Sequence, residues 1–286
     1  MTRPSAQSAR TAPFMAIKTH HRILMTGAAG SLGTAMRPLL KANCEVLRLS
    51  DRAAFAAAQA GEEVSLAELG DEAAVLALLK DVNAVVHFGG VSVEGPFGPI
   101  LQANIIGLYN LYEAARKQGT TRIIFASSNH ATGFYKQSET ITPLSAPRPD
   151  GNYGVSKAFG EDISRFYFDR YGIETACLRI GSCFPEPVDR RMLASWLSFG
   201  DLYRLLTACL STPVLGHSII YGMSKNSVTW WDNWPANHIG YVPQDSADSF
   251  REAIYAKTPA PDLRDPVVQF QGGGYVGKGP YATVNG

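Results

Sequence analysis

The chain has no cysteine pairing from which a framework could be built. Cys44, Cys177, Cys183 and Cys209 are scattered, and no two stand in a C-x-x-C arrangement. Reduced thiols in a reducing compartment fit this spacing better than a disulfide scaffold or a zinc site. Cys44 and Cys177 also lie in apolar strand-like runs, where a small buried residue is the ordinary reading. No His, Cys and carboxylate cluster has metal-ligand spacing, so no metal is expected. Excess charge is missing too: 26 basic residues against 25 acidic ones leave a formal net charge of +1. Without a positive field, neither nucleic acid nor an anionic membrane is the expected partner, and an anionic substrate would need a local basic group. No apolar run reaches the length that spans a bilayer. Residues 1–20 hold no acid and no apolar signal core. They read as a disordered extension, with a transit peptide or a start at Met15 as the other readings. The expected setting is cytoplasmic.

What the chain does have is apolar material, at 45% hydrophobic residues and only 18% charged, enough for one large α/β domain with a small appendage. Strand-like and helix-like segments alternate. Strands are expected at 22–26, 44–49, 63–66, 84–88, 122–126 and 175–180. Helices are expected at 31–41, from Asp71 to 79, at 99–117 and at 152–171. Strands joined by helical crossovers imply a Rossmann-type, doubly wound parallel sheet whose ligands bind beyond the carboxyl ends of the strands. Residues 21–182 read as a cofactor-binding domain carrying the catalytic residues. Residues 183–286, with Pro185, Pro187, Pro213 and the Trp230–Trp231 pair, read as a small substrate-covering region with a Gly-rich tail over the last dozen residues.

Between the first strand and first helix lie Thr26, Gly27, Gly30, Ser31, Leu32 and Gly33. Glycines at this spacing permit a tight turn and close approach of a pyrophosphate, and the helix N-terminus adds N–H donors. Asp51 ends the second strand, where a carboxylate accepts adenosine ribose hydroxyls and repels a 2′-phosphate. NAD is therefore the expected cofactor; Arg52 next door is the feature that keeps NADP open. Gly89 and Gly90 place backbone against the cofactor. His87 reads as a packed strand histidine. Asn104, polar in an apolar stripe, either braces the active-site backbone or holds a relay water.

Tyr153 and Lys157 stand four apart on one helix face. A nearby ammonium favours the phenolate of a group whose ordinary pKa is about 10. That makes a base able to take a hydroxyl proton while hydride leaves the same carbon. Ser128, or its neighbour Ser127, follows the fifth strand and can hydrogen-bond the reacting oxygen; Ser128 is the choice.

The glycine turn, Asp51, Ser128 and the Tyr153/Lys157 pair resemble the extended short-chain dehydrogenase/reductase superfamily. Longer strings narrow the likeness: Ile100 to Ala115, Phe125 to His130, Arg148 to Lys157, Arg179 to Cys183 and Trp230 to Asn233. Together these are similar to the bacterial uronate dehydrogenase family. The resemblance implies NAD-dependent oxidation of the anomeric carbon of D-glucuronate or D-galacturonate to an aldarolactone, often in a homo-oligomer. It implies Tyr153 as base, Ser128 as its hydrogen-bonding partner, and Lys157 as the group that lowers the phenol pKa and binds the nicotinamide ribose. It further implies that Ser92, Asn129, His130 and Ser182 contact sugar hydroxyls and that Arg191 clamps the carboxylate. Two residues depart from the family pattern: Glu68 stands where Asp is usual, and Phe184 where a smaller polar residue is usual. The alternatives are an NAD-dependent nucleotide-sugar epimerase or dehydratase, and a cofactor-sensing scaffold without chemistry. Asn129–His130 where dehydratases carry Asp–Glu, and the short stretch 183–286, speak against the first; the intact Ser/Tyr/Lys set speaks against the second.

Overall fold

The apolar run Ile23–Leu24–Met25 is fully buried, as expected of a strand covered on both faces. It is the centre of β1 (His20–Thr26) in a computed structural model that describes residues 20–281. The expected N-terminal extension, apart from His20, lies outside the described residues. Then come α1 (Ser31–Leu40), β2 (Cys44–Ser50), β3 (Glu62–Val64), α2 (Glu72–Leu78) and β4 (Ala84–His87). The next helix begins as α3 (Phe97–Ile100), widens to a π-helical stretch over Leu101–Ile106 and continues as α4 (Gly107–Gln118). β5 (Arg122–Ser128), α5 (Asn152–Tyr171) and β6 (Glu174–Ile180) follow.

These strands pair in parallel with one further strand, β9 (His217–Gly222), in the order β3-β2-β1-β4-β5-β6-β9. The order reverses between β1 and β4, which opens the crevice where such sheets bind ligands. One hydrophobic cluster gathers Met36 and Leu40 of α1 with Leu202, Leu205 and Leu206 on one face. Another gathers Val75, Leu78, Leu108, Leu111 and Tyr112 on the other. The doubly wound parallel sheet is thus the fold that the alternation of segments predicts.

Two expectations need correction. The sequence reading ends the sheet at residue 182, but it goes on. Beyond a two-stranded parallel ribbon, β7 (Ser182–Cys183) with β8 (Trp196–Leu197), and a short α6 (Met192–Ser195), helix α7 (Phe199–Ser211) leads to β9 (His217–Gly222). β9 pairs with β6 as the seventh strand. Short helices α8 (Arg251–Lys257) and α9 (Pro266–Gln269) follow. Nor is the Gly-rich end simply a tail: residues 273–277 form a 3-10 turn that returns to the rest of the molecule, as the site shows. Among the described residues, no helix is long and apolar enough to cross a membrane.

Two buried polar pairings tie the sheet to its neighbours. His87 of β4 meets Thr26 of β1 through Nδ1 and Oγ1 at 2.7 Å, the packed role expected of it. Glu161 of α5 accepts from Arg179 Nε at 2.9 Å and Nη2 at 2.8 Å and from Ser127 Oγ at 2.7 Å. Arg179 Nη1 reaches Tyr221 Oη of β9 at 3.0 Å, so this ion pair joins α5 to β5, β6 and β9.

Burial pushes the His87 imidazole down to about 3 from 6.5. Between those values the unfolded chain binds a proton that the folded chain refuses. Stability should therefore be full above about pH 6.5 and fall as pH drops toward 3, by up to about 1.4 kcal/mol per pH unit. Urea unfolding from pH 7 to pH 4 should show a shallower slope for His87→Gln; identical slopes would remove His87 from the acid response. Glu161→Ala leaves a buried guanidinium unpaired, which should cost about 3–5 kcal/mol in chemical denaturation.

Candidate active site

The turn after β1 is shaped by glycine. Gly27 has φ +72, and a Cβ there would meet Phe88 C and Gly89 N at 2.7 Å. A Cβ on Gly33 would overlap Gly27 O and come within 2.7 Å of Ala28 Cα. α1 begins at Gly30 with no side-chain cap and no acid in its first turn, so the turn keeps N–H donors for an external acceptor at Ser31 and Leu32. Asp51 Oδ2 accepts from Ala29 N at 3.0 Å and Oδ1 from Ala53 N at 3.1 Å, which fixes its half-buried carboxylate beside the turn. A tight glycine cradle, free helix-end donors and a fixed acid fit an adenine dinucleotide. Arg52 and Glu68 are exposed.

The loop after β4 faces this turn. Gly89 N donates to Thr26 Oγ1 at 3.2 Å, and Gly90, at φ +128, packs against Asn104. Asn104, buried in the π-helical stretch, accepts from Val91 N at 2.7 Å. It donates to Val91 O at 3.0 Å and Ser156 Oγ at 2.9 Å. Both amide hydrogens are therefore engaged, and bracing is the role its geometry serves. Ser156 Oγ donates in turn to Tyr153 O at 2.7 Å, so one strut joins the loop to α5. Glu94 makes a second tie: its carboxylate accepts from Asn152 N at 3.0 Å and Tyr153 N at 2.8 Å, capping α5 with negative charge. Ser92 is exposed between these anchored residues.

Tyr153 and Lys157 are both buried on the inner face of α5. Lys157 Nζ donates to Ala126 O at 2.7 Å and sits 5.3 Å from the Tyr153 ring centroid. Burial pushes its ammonium down to about 8. The phenol does not follow the expectation that Lys157 lowers its pKa. Burial is the largest influence and holds it above its usual value, while the Ser128 hydroxyl acts in the opposite sense. Of the two adjacent serines, Ser127 is committed to Glu161, whereas Ser128 accepts from His130 N at 3.2 Å and bears on the phenol.

Asn129, His130, Ser182 and Arg191 form the opposite wall. Arg191 Nη1 donates to Ser182 Oγ at 3.1 Å and Nε to Gln271 O at 2.7 Å. With the Asn129 nitrogen turned to Ile180 O, its oxygen accepts from Arg191 Nη2 at 2.8 Å. No carboxylate among the described residues lies within ion-pair distance of Arg191, and burial lowers its pKa. His130 Nδ1 meets Asp150 Oδ2 at 2.7 Å, and its ring stands edge-on to Tyr153 at 5.9 Å between centroids. Phe184 is 49% exposed at the outer edge.

Four residues that sequence reasoning missed complete the site: Glu94, Asp150, Gln271 and Tyr275. Gln271 is buried, accepts from Trp231 Nε1 at 2.9 Å, and donates to Lys136 O and Glu139 O at 3.0 and 2.9 Å. That anchorage lays Tyr275 flat on His130, with centroids 3.9 Å apart and planes 12° apart. Asp150 stood within a string already singled out; the others gave no local signal. On the far side of Asp150 to Asn152 lies a cavity of about 680 Å³, bounded by the start of α3 and by Lys278 to Tyr281.

The model of the NAD dependent epimerase/dehydratase family matches residues 23–198. A uronate dehydrogenase of Pseudomonas syringae is 53% identical over 262 residues, covering 91% of this chain and 95% of its own. One from Agrobacterium fabrum is 51% identical over 255 residues, covering 89% and 96%. The crystal structure of the Agrobacterium tumefaciens uronate dehydrogenase superposes with a TM-score of 0.89 at 49% identity, over 91% of this chain and 98% of that one. A tyrosine-to-alanine mutant of the Agrobacterium tumefaciens enzyme, complexed with NAD, superposes with a TM-score of 0.90 at 48% identity, over 92% and 100%. The chain belongs to the NAD dependent epimerase/dehydratase family and, within it, to the uronate dehydrogenases.

Proposed function

We propose that the chain oxidises the anomeric carbon of D-glucuronate or D-galacturonate, bound as the cyclic hemiacetal, to the aldarolactone. NAD, held by the glycine turn and Asp51, supplies the hydride acceptor. Tyr153 as phenolate takes the C1 hydroxyl proton, and Ser128 fixes the oxygen between them. Lys157, charged below about pH 8, lies beneath the phenol and reaches the nicotinamide ribose. Ser92, Asn129, His130 and Ser182 hold sugar hydroxyls. The single observation that carries the choice of a sugar acid is Arg191: a half-buried arginine whose guanidinium stands beside Ser182 and Asn129, without an ion-pair partner among the described residues. A planar fork with donors to spare suits a carboxylate.

In this reading the segments after β9 cover the site, since Trp231, Gln271 and Tyr275 reach it from there. The setting is cytoplasmic, in keeping with the unbridged thiols of Cys177, Cys183 and Cys209. The working form is a homo-oligomer, for which exposed Tyr109, Phe166 and Tyr171 on α4 and α5 offer apolar surface. Sedimentation giving a single-chain mass would remove that last element.

NADH absorbance should rise with glucuronate or galacturonate and stay flat with UDP-sugars; the reverse pattern would replace this reading with an epimerase-like one. Tyr153→Phe should lose about 10²–10⁴ in kcat and keep NAD binding. Arg191→Ala should cut kcat/KM for the uronate by roughly 2–5 kcal/mol of transition-state binding, and hardly affect a neutral aldose. Because burial favours the protonated phenol, kcat should rise with pH. Ser128→Ala removes the group that opposes this, so the rise should move to higher pH; an unmoved profile would separate Ser128 from the base.

A further inference from the structure

Asp150 is a buried carboxylate with one visible task. Oδ2 meets His130 Nδ1 at 2.7 Å, and Oδ1 is sealed from solvent without a partner. Two glycines close over it: a Cβ on Gly133 or on Gly272 would overlap Oδ2, and the two backbones are joined by Gly272 N donating to Gly133 O at 2.8 Å. A carboxylate kept in so tight a cage, with an oxygen left unsatisfied, calls for an explanation beyond packing. His130 is equally constrained, stacked on Tyr275 and edge-on to Tyr153. Its Nε2 has no hydrogen bond among the described residues, and the side chain is 12% exposed, so that nitrogen is the ring's open end.

We propose that Asp150 is a positioning residue that fixes the tautomer of His130, drawing the proton to Nδ1 so that Nε2 presents a lone pair to the substrate. A neutral imidazole donates from one nitrogen and accepts at the other, and the partner of the first decides which. An ionised carboxylate only accepts, so it selects Nδ1–H. The substrate group facing Nε2 must then be a donor, as a sugar hydroxyl is and an ether oxygen is not. This rests on the reading of His130 as a sugar contact. The groups around the ring are Asp150 and Glu94, which favour its protonation, Arg191, which opposes it, and the neutral phenols of Tyr153 and Tyr275. Burial outweighs the acids and lowers the imidazole pKa, which keeps the ring neutral at pH 7.

The test is ¹⁵N NMR of histidine-labelled protein at pH 7, with the His130 signals assigned by their loss in His130→Gln. The native chain should show a protonated Nδ1 and a bare Nε2. Asp150→Asn can donate from its amide to Nδ1, and should shift the ring toward Nε2–H. Gly133→Ala, which displaces the carboxylate, should do the same if the first variant fails to fold. In kinetics, Asp150→Asn should lower kcat/KM for the uronate about 10- to 100-fold with KM for NAD unchanged. An Nε2–H or doubly protonated His130 in the native chain would overturn the proposal, as would variants that leave the tautomer unmoved. If the native chain has the expected tautomer and no uronate is oxidised, the functional reading has failed and the tautomer assignment stands.

Discussion

Helix α5 carries both the phenol and the ammonium, and the site depends on how that helix is held. Its buried face is Tyr153, Gly154, Ser156, Lys157, Gly160, Glu161, Ser164 and Tyr167, with no aliphatic residue larger than glycine among them. Hydrophobic burial, which is non-directional, is carried by Ile163 and Tyr167 toward its C-terminal end and not by the turn that bears Tyr153 and Lys157. Close contact and polar ties do the positioning: a Cβ on Gly154 would overlap His130 O, and one on Gly160 would overlap the Phe125 ring. Glu94 holds the first turn, Lys157 reaches Ala126 O, and Glu161 grips Arg179. Each tie has a length and an angle, so the helix cannot slide by a residue without leaving buried charges unpaired. Catalytic geometry has to be held to fractions of an ångström, and a face of this kind supplies that in a way an oily one would not.

The same fact explains what could be read from the chain. The glycine turn, Ser128 and the Tyr153/Lys157 pair were legible because each is a short-range pattern whose chemistry follows from spacing. The strands β1, β2, β4, β5 and β6 were legible because the buried stretches of parallel strands are apolar runs, whereas the short β3 is neither apolar nor buried. β9 carried a similar signal in Ile219, Ile220 and Tyr221, yet it follows a proline-bearing stretch that looked like the start of irregular structure. Glu94, Asp150, Gln271 and Tyr275 were not legible as a group, because what unites them is long-range. Gln271 binds carbonyls more than 130 residues away, and Glu94 caps a helix 58 residues downstream. A Gly-rich terminus gives no hint that its tyrosine will lie on a histidine from β5's end.

Near-neutral composition hides an uneven distribution of charge. Elsewhere in the fold, buried charges are matched, as Arg179 is by Glu161. At the cleft, the two buried acids are occupied with donors of the fold itself, Glu94 with the N–H groups of α5 and Asp150 with His130. Lys157 and Arg191 are left with neutral oxygens: carbonyls, hydroxyls and an amide. Two desolvated cations with neutral partners make a site where an anion is worth more than it would be at the surface.

The two cations stand on different parts of the chain. Lys157 belongs to α5 and so to the sheet-and-helix core. Arg191 follows β7, in the stretch where the core gives way to short, irregular elements, and is fixed by Gln271 from near the C-terminus. On the proposed reading, the core builds the hydride and proton chemistry, and the guanidinium offered to an acid stands where irregular segments meet. A fold with that division can keep one reaction and change its substrate by rebuilding a single wall, because function lives in the site grafted on the fold.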